Sequence, residues 1–209
     1  MVDFKKLIPT LCLTFSLLLA ISSIYSPWWG IWNSKENQVA TNNTIIVYYM
    51  PLQTVAAGNA KANISLALPF DSIAENDTNK SALSGLFTST LALAAAGMVL
   101  TVVVLVLSLI AVLRKKMFTF AWIIGIVGTL LLFVSLLYVA ANMPATLQKF
   151  TNAVPPEIGV AEGKQISSYW GSTGTWIWGA GYGWLSLFVS ALLCLIGSLL
   201  VRKTLEKVE

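Results

Sequence analysis

Four long segments of the chain carry no charged residue and consist mainly of apolar side chains: 7–26, 83–113, 117–143 and 176–201. Segment 83–113 is apolar on every side, whereas a soluble helix keeps one polar face. A helix of ~20 residues crosses the ~30 Å hydrocarbon core of a bilayer, and each segment reaches that length. The pattern therefore predicts a membrane α-helical fold with a bundle of four transmembrane helices.

The same pattern divides the chain into eight parts. They are the N-terminus with the first span (1–26), a first loop (27–82), the second span (83–113), a basic turn (114–116), the third span (117–143), a second loop (144–175), the fourth span (176–201) and a tail (202–209).

Composition and charge agree with this organisation. Hydrophobic residues make up 56% of the chain and charged residues 11%, with a mean hydropathy of +0.76. Eight of the thirteen basic residues lie in the N-terminus, the 114–116 turn and the tail. The positive-inside rule then places both termini in the cytoplasm of a multi-pass cell-membrane protein. The basic excess indicates topology and contact with the lipid bilayer, and does not indicate nucleic-acid binding.

The first span has an alternative interpretation. Lys5 and Lys6, the apolar stretch and the small residues Ser22, Ser23 and Ser26 also fit a cleavable signal peptide. We favour a retained helix; in both cases the 27–82 loop is exported.

The first loop has the composition of β-structure. Residues 44–50 are β-branched and aromatic, and residues 61–68 alternate between apolar and small or polar side chains. We expect both to be strands of one small antiparallel β-sheet on the outer helix ends, with Ile64, Leu66 and Leu68 inward and 58–59 as a tight turn. Residues 71–81 are expected to be irregular. In the second loop prolines and glycines exclude long helices, and 164–170 is a candidate for one added strand.

Four glycosylation sequons lie in the first loop and none elsewhere. Their acceptors are Asn42, Asn63, Asn76 and Asn79. An Asn- and Thr-rich loop also produces such triplets by chance, but their confinement to the predicted exterior side favours N-glycans.

Seven of the eight tryptophans flank the outer ends of the first and fourth spans: Trp28, Trp29, Trp32, Trp170, Trp176, Trp178 and Trp184. Amphipathic indoles prefer the headgroup region, so the pattern is typical of an aromatic interface belt. A ligand or sugar platform is the alternative, but it requires polar partners that the neighbouring sequence supplies sparsely.

The fourth span carries small residues on one helical face: Gly179, Gly183, Ser186, Ser190, Cys194 and Gly197. Small residues let membrane helices approach closely, and Gly179 with Gly183 forms a GxxxG pair. We favour packing within the chain over a dimer interface.

The spans offer no chemistry for catalysis or transport. The chain has no histidine, and the spans contain no Asp, Glu, Lys or Arg between their boundaries. Cys12 and Cys194 both lie within predicted helices, which provides neither a disulfide framework nor a metal site. We therefore expect no catalytic, cofactor-binding or metal-binding residues and no enzymatic activity. A pore formed by oligomers is disfavoured for the same reason.

The topology and the Trp28–Trp32 stretch, WWGIW, resemble the claudin-like tetraspan superfamily, in which a Gly-Leu-Trp sequence opens a β-rich first exterior loop. The resemblance implies that Trp32 seats an exterior sheet on the bilayer. The cysteine pair that follows this motif in the family is absent, since Asn33 follows Trp32.

Two functional hypotheses follow. The first is a structural, adhesive or membrane-organising protein of the cell envelope, whose exterior sheet contacts copies of itself or another membrane or surface protein. The second is a non-catalytic accessory subunit of a larger membrane complex, packed through its small-residue helix faces.

Overall fold

Four helices account for most of the chain in the computed structural model: α1 (Phe4–Ile24), α2 (Asp77–Ala111), α3 (Met117–Leu147) and α4 (Tyr182–Glu206). The structure describes residues 4–33, 44–49, 54–59, 64–69, 77–111, 117–149, 166–173 and 176–206. Each helix contains a stretch that is long and apolar enough to cross a membrane: 7–24, 81–110, 119–147 and 182–203. The prediction of four long apolar helices is confirmed.

Several helix boundaries differ from the sequence-based expectation, and three of the differences have a visible cause. Helix α2 begins at Asp77, so residues 77–81 are helical, because Asp77 and Thr78 are residues that favour a helix start. Helix α3 continues through Pro144 to Leu147, since the Gln148 N–H donates to Pro144 O at 3.0 Å and Leu147 is buried. Helix α4 begins only at Tyr182, because residues 176–180 form a strand.

Six strands form one antiparallel sheet: β1 (Trp29–Asn33), β2 (Thr44–Tyr49), β3 (Thr54–Asn59), β4 (Ile64–Pro69), β5 (Gly171–Thr173) and β6 (Trp176–Ala180). Their order is β4-β3-β2-β1-β6-β5. Strands β1 to β4 come from the segment between α1 and α2, and β5 and β6 come from the segment between α3 and α4. The two segments meet where β1 pairs with β6, across more than 140 positions of sequence. Antiparallel pairing gives the four inner strands β3, β2, β1 and β6 hydrogen-bonded neighbours on both sides, whereas β4 and β5 are edge strands with a neighbour on one side.

The strand predictions are confirmed in part. Strands β2 and β4 cover the described parts of 44–50 and 61–68. They are not neighbours, because β3 lies between them; the predicted turn at 58–59 is wrong, since Gly58 pairs with Ile45 of β2. The added strand of the second loop is β5 at 171–173, while the described residues of 164–170 are not strand. The inward orientation of Ile64, Leu66 and Leu68 lies outside the described side chains.

The chain divides into two compact units. Unit 1 comprises 1–22, 92–136 and 186–209, and unit 2 comprises 23–91 and 137–185. Unit 1 is helical, and its interior contains Leu13, Val104 and Leu187 together with buried serine and threonine hydroxyls. Unit 2 contains the sheet and the adjoining helix segments, and its interior is rich in aromatic side chains.

The helices bury many hydroxyl side chains alongside apolar ones, and each helix also exposes large apolar side chains. On α1, Ser16, Ala20 and Ser23 are buried, whereas Phe15 and Leu18 are exposed. Helices α2, α3 and α4 show the same contrast, with buried Thr101, Ser135 and Ser190 and exposed side chains such as Val106, Leu130 and Ile196. This polarity is the reverse of a soluble amphipathic helix.

Candidate functional site: the aromatic core of the sheet and the helix contacts

Trp29 lies at the centre of the sheet. Strand β1 is flanked by β2 and β6, and Trp29 pairs with Tyr48 on one side and Ala180 on the other. Its side chain has no exposed surface, and its ring meets the Tyr48 ring edge-on at 5.4 Å. The indole N–H donates to Tyr169 O at 2.8 Å, so this large buried group has its one donor satisfied.

Trp28 ties the start of β1 to the end of α1. Its indole N–H donates to Ser23 O at 2.8 Å, and its backbone N–H donates to Tyr48 O at 2.9 Å. The Tyr169 hydroxyl donates to Trp28 O at 3.1 Å. We call the buried set Trp28, Trp29, Tyr48, Tyr169 and Trp178 the aromatic core.

Two glycines fix the start of α4 against the residues that precede β1. The Gly181 N–H donates to Trp28 O at 2.8 Å, and the Gly183 N–H donates to Pro27 O at 2.7 Å. A Cβ added at Gly181 would collide with the Pro27 carbonyl, and one at Gly183 would lie 2.6 Å from Ser26 O. Only glycine permits this approach of two backbones. The Gly-Ala-Gly-Tyr-Gly sequence is therefore a junction between β6 and α4.

Two tryptophans cover glycines at the edge of the sheet. Trp178 pairs with Gly171, and a Cβ at Gly171 would lie 2.7 Å from the Trp178 ring. A Cβ at Gly179 would lie 2.6 Å from the Trp170 ring. Gly179 is a residue of β6, so its assignment to a helix-packing GxxxG pair with Gly183 is wrong; the pairing of 176–180 with β1 overrides helix formation there.

Burial raises the pKa of the Tyr48 hydroxyl and that of the Tyr169 hydroxyl above the ordinary tyrosine value, because desolvation disfavours the phenolate. Both phenols are therefore neutral over the physiological pH range. Their roles in the aromatic core are packing and hydrogen bonding, not proton transfer.

The structure separates the tryptophans of the predicted belt into two groups. Trp28, Trp29 and Trp178 are at most 5% exposed, so the belt interpretation is wrong for these three. Sheet pairing turns Trp29 and Trp178 into the protein interior, and the indole hydrogen bond to Ser23 O holds Trp28 there. Trp32 and Trp170 are exposed, by 37% and 53%. Trp184 is half-buried, with its ring 5.4 Å from Trp170, and Trp176 lies in β6 with its side chain outside the described set.

The small-residue face of α4 packs within the chain in unit 1. The Ser190 hydroxyl donates to Ser16 O and the Ser16 hydroxyl donates to Ser190 O, each at 2.8 Å, with the two hydroxyl oxygens 3.1 Å apart. A Cβ at Gly197 would lie 2.9 Å from the Leu13 side chain. Ser190 and Gly197 thus join α4 to α1, and Ser186, also predicted for this face, is half-buried.

Cys194 lies in a second polar contact of unit 1. Its thiol is 3.6 Å from the Thr101 hydroxyl on α2 and 3.8 Å from Gly125 O on α3. Gly125 faces Ser198, and a Cβ there would lie 2.8 Å from Ser198 Cβ. Both cysteines are free thiols within helices.

Sequence reasoning missed Ser16, Tyr48 and Tyr169 as site residues. The spacing of Ser16, Ala20 and Ser23 repeats the small-residue pattern recognised on the fourth span and was a usable signal. Tyr169 carried no such signal, because its partners Trp28 and Trp29 are more than 130 positions away in sequence.

The glycosylation candidates are largely outside the described residues. Asn79 is the third residue of α2, and the neighbouring Thr78 is exposed. Asn42, Asn63 and Asn76 lie outside the described residues.

No family model matches the chain, and no curated protein matches it.

Proposed function

We propose that this protein is a non-enzymatic, multi-pass protein of the cell membrane with a structural or adhesive role, exerted through its six-stranded sheet. Membrane insertion is supported by the exposed apolar faces of all four helices, because large apolar surfaces of this kind are rare on soluble proteins. The distribution of basic residues supports cytoplasmic termini and an exterior sheet.

The observation that carries the adhesive role is the difference between the two faces of the sheet. Trp29, Ile31 and Trp178 share one face and are buried. Strand alternation turns Trp32 to the other face, where it is 37% exposed beside its half-buried partner Ile177. An exposed tryptophan on a rigid sheet is a typical centre of a protein contact, since Trp is enriched among the residues that dominate binding energy.

We also infer a distant likeness to claudin-like tetraspan proteins. It is supported by four apolar helices and by a sheet that takes four of its six strands from the segment between the first and second helices, with Trp32 in its first strand. In this proposal the contact partner is a second copy of the chain or another surface protein, and glycans on the first loop border the sheet.

The test is vesicle adhesion by the purified full-length protein. Proteoliposomes that display the sheet should cluster in light scattering, and Trp32→Ser should reduce clustering while the thermal unfolding midpoint stays unchanged. Tyr182→Ser is the matched control, because Tyr182 is an exposed aromatic residue outside the sheet. If wild-type vesicles stay separate and the protein remains monomeric in mild detergent, the adhesive role is wrong.

A second candidate function, an accessory subunit of a membrane complex, is favoured by one face of α2. Its exposed residues are Ser81, Gly85, Thr88 and Ser89 in unit 2, and Ala92, Ala95 and Ala96 in unit 1. A Cβ at Gly85 would meet nothing within 4 Å. A smooth face of this kind admits a partner helix at close range.

This candidate predicts that bulk on the smooth face prevents assembly. Ala92→Leu with Ala96→Leu should convert a larger complex on native gels of solubilised membranes into the isolated protein. The control is Val99→Leu, which adds bulk at an exposed position that is already large. An unchanged complex in the double variant would exclude this face as the contact.

A further inference from the structure

The charges of the chain segregate between the two units. Unit 1 holds eight basic and three acidic residues, a formal charge of +5, whereas unit 2 holds five basic and six acidic residues, a formal charge of −1. In the sequence, every charged residue of unit 1 lies beyond the ends of the uncharged segments 7–26, 83–113, 117–143 and 176–201. The positive charge of this unit is therefore confined to the sequence that borders the uncharged segments.

Two cations whose side chains are described lie near the end of α4. Arg202 and Lys203 are exposed in the last turns of α4. The Arg202 guanidinium lies over the Trp122 ring of α3, 5.2 Å from its centroid. The Trp122 side chain is half-buried and packs against the buried residues Ala121 and Val201, and this packing restrains the ring. A cation–π contact of this type fixes the position of a side chain that otherwise has high rotamer freedom.

We propose that Trp122, Arg202 and Lys203 form a binding site for the headgroup of an anionic phospholipid. The guanidinium presents planar donors that match phosphate oxygens, and Lys203, the next residue of α4, adds a second cation at the same helix end. The indole belongs to the side chains that prefer the headgroup depth of a bilayer. Charge complementarity selects an anionic lipid, and the position at the end of four apolar helices selects a membrane lipid over an acidic protein. This inference rests on the proposed membrane insertion.

The experiment compares lipid retention by the full-length protein. Protein extracted from vesicles of mixed phosphatidylcholine and phosphatidylglycerol is analysed by native mass spectrometry, and bound lipids are counted by class. Wild type should retain phosphatidylglycerol preferentially. Arg202→Gln with Lys203→Gln should weaken that preference by about 30-fold, since each cation near a lipid surface contributes roughly a fivefold effect. The charge-matched control, Lys149→Gln with Lys164→Gln, removes two cations of unit 2 and should retain the preference.

A second variant tests whether the cation is positioned. Trp122→Leu keeps every charge but removes the ring beneath Arg202, and it should reduce the preference several-fold while Arg202→Lys reduces it less than Arg202→Gln. A double-cation variant no weaker than its control, or a Trp122→Leu protein with wild-type preference, would overturn the proposed site.

Membrane insertion is read separately by alkaline carbonate extraction of the same vesicles. Protein that resists extraction but shows no lipid preference contradicts this site alone. Protein that is extracted contradicts the proposed membrane function and this inference with it.

Discussion

Ser16 on α1 and Ser190 on α4 form reciprocal hydrogen bonds, and their removal should destabilise the protein. The size of the loss depends on whether each hydroxyl donates to a backbone carbonyl or to the other hydroxyl. Each hydroxyl donates to the backbone carbonyl of the opposite helix, Ser16 Oγ to Ser190 O and Ser190 Oγ to Ser16 O, both at 2.8 Å. Each serine has one hydroxyl proton, so the 3.1 Å contact between the two oxygens is secondary.

Interhelical hydrogen bonds in membranes contribute about 0.6 kcal/mol on average and up to about 1.7 kcal/mol. Ser190→Ala removes one donor but leaves both carbonyls and the Ser16 donor in place. We therefore expect a loss of about 0.6–1.5 kcal/mol for each single variant and about twice that for Ser16→Ala with Ser190→Ala. The coupling energy in the double-mutant cycle should be at most ~0.5 kcal/mol.

The assay is reversible unfolding in bicelles, monitored by steric trapping, with the free energy of unfolding measured for the wild type, both single variants and the double variant. Ser22→Ala is the matched control, because the exposed Ser22 hydroxyl donates to Leu19 O of its own helix. A double variant no less stable than either single variant would mean that the serines bond chiefly to each other, which would refute the reasoning.

Three further predictions concern glycine packing, alkaline pH and modification. Gly125→Ala should lower the free energy of unfolding by about 1–3 kcal/mol, because its Cβ would collide with Ser198, whereas Gly85→Ala faces open space and should be neutral or slightly stabilising in the same assay. Burial raises the folded-state pKa of Tyr48 and Tyr169, so the stability that these two groups contribute is present below pH ~10 and is lost as the pH rises above it, by up to about 1.4 kcal/mol per pH unit for each tyrosine. Tyr48→Phe with Tyr169→Phe should therefore flatten the alkaline part of a plot of the free energy of unfolding against pH. An unchanged alkaline part would contradict the raised pKa of the two tyrosines. Expression in a glycosylating host should give a mass increase that an endoglycosidase removes, and Asn79→Gln should lower it by one glycan if that sequon is used; a wild-type mass equal to the sequence mass would exclude N-glycans.

Local patterns were sufficient for the helices. Long uncharged apolar segments identify four spans because a helix satisfies its backbone hydrogen bonds within itself, so length and hydropathy alone decide it. The small-residue face of α4 was also recognisable, since Gly183, Ser190, Cys194 and Gly197 recur at helical spacing and all are buried. Strands β2 and β4 were visible from β-branched and alternating residues.

The rest depended on contacts between residues far apart in sequence. Residues 176–180 are as apolar as the helix that follows them, and only pairing with β1 makes them a strand. The same pairing buries Trp29 and Trp178, which by composition alone look like part of a lipid-facing belt. Strand order and the partners of Tyr169 also arise from long-range pairing. The sequence alone therefore determined that four helices exist and roughly where they lie, because helical hydrogen bonds are local, but it did not determine where α2 and α4 begin. Only the tertiary structure decided which strands pair and which aromatic side chains are buried, because sheet hydrogen bonds and aromatic packing join residues that no local pattern connects.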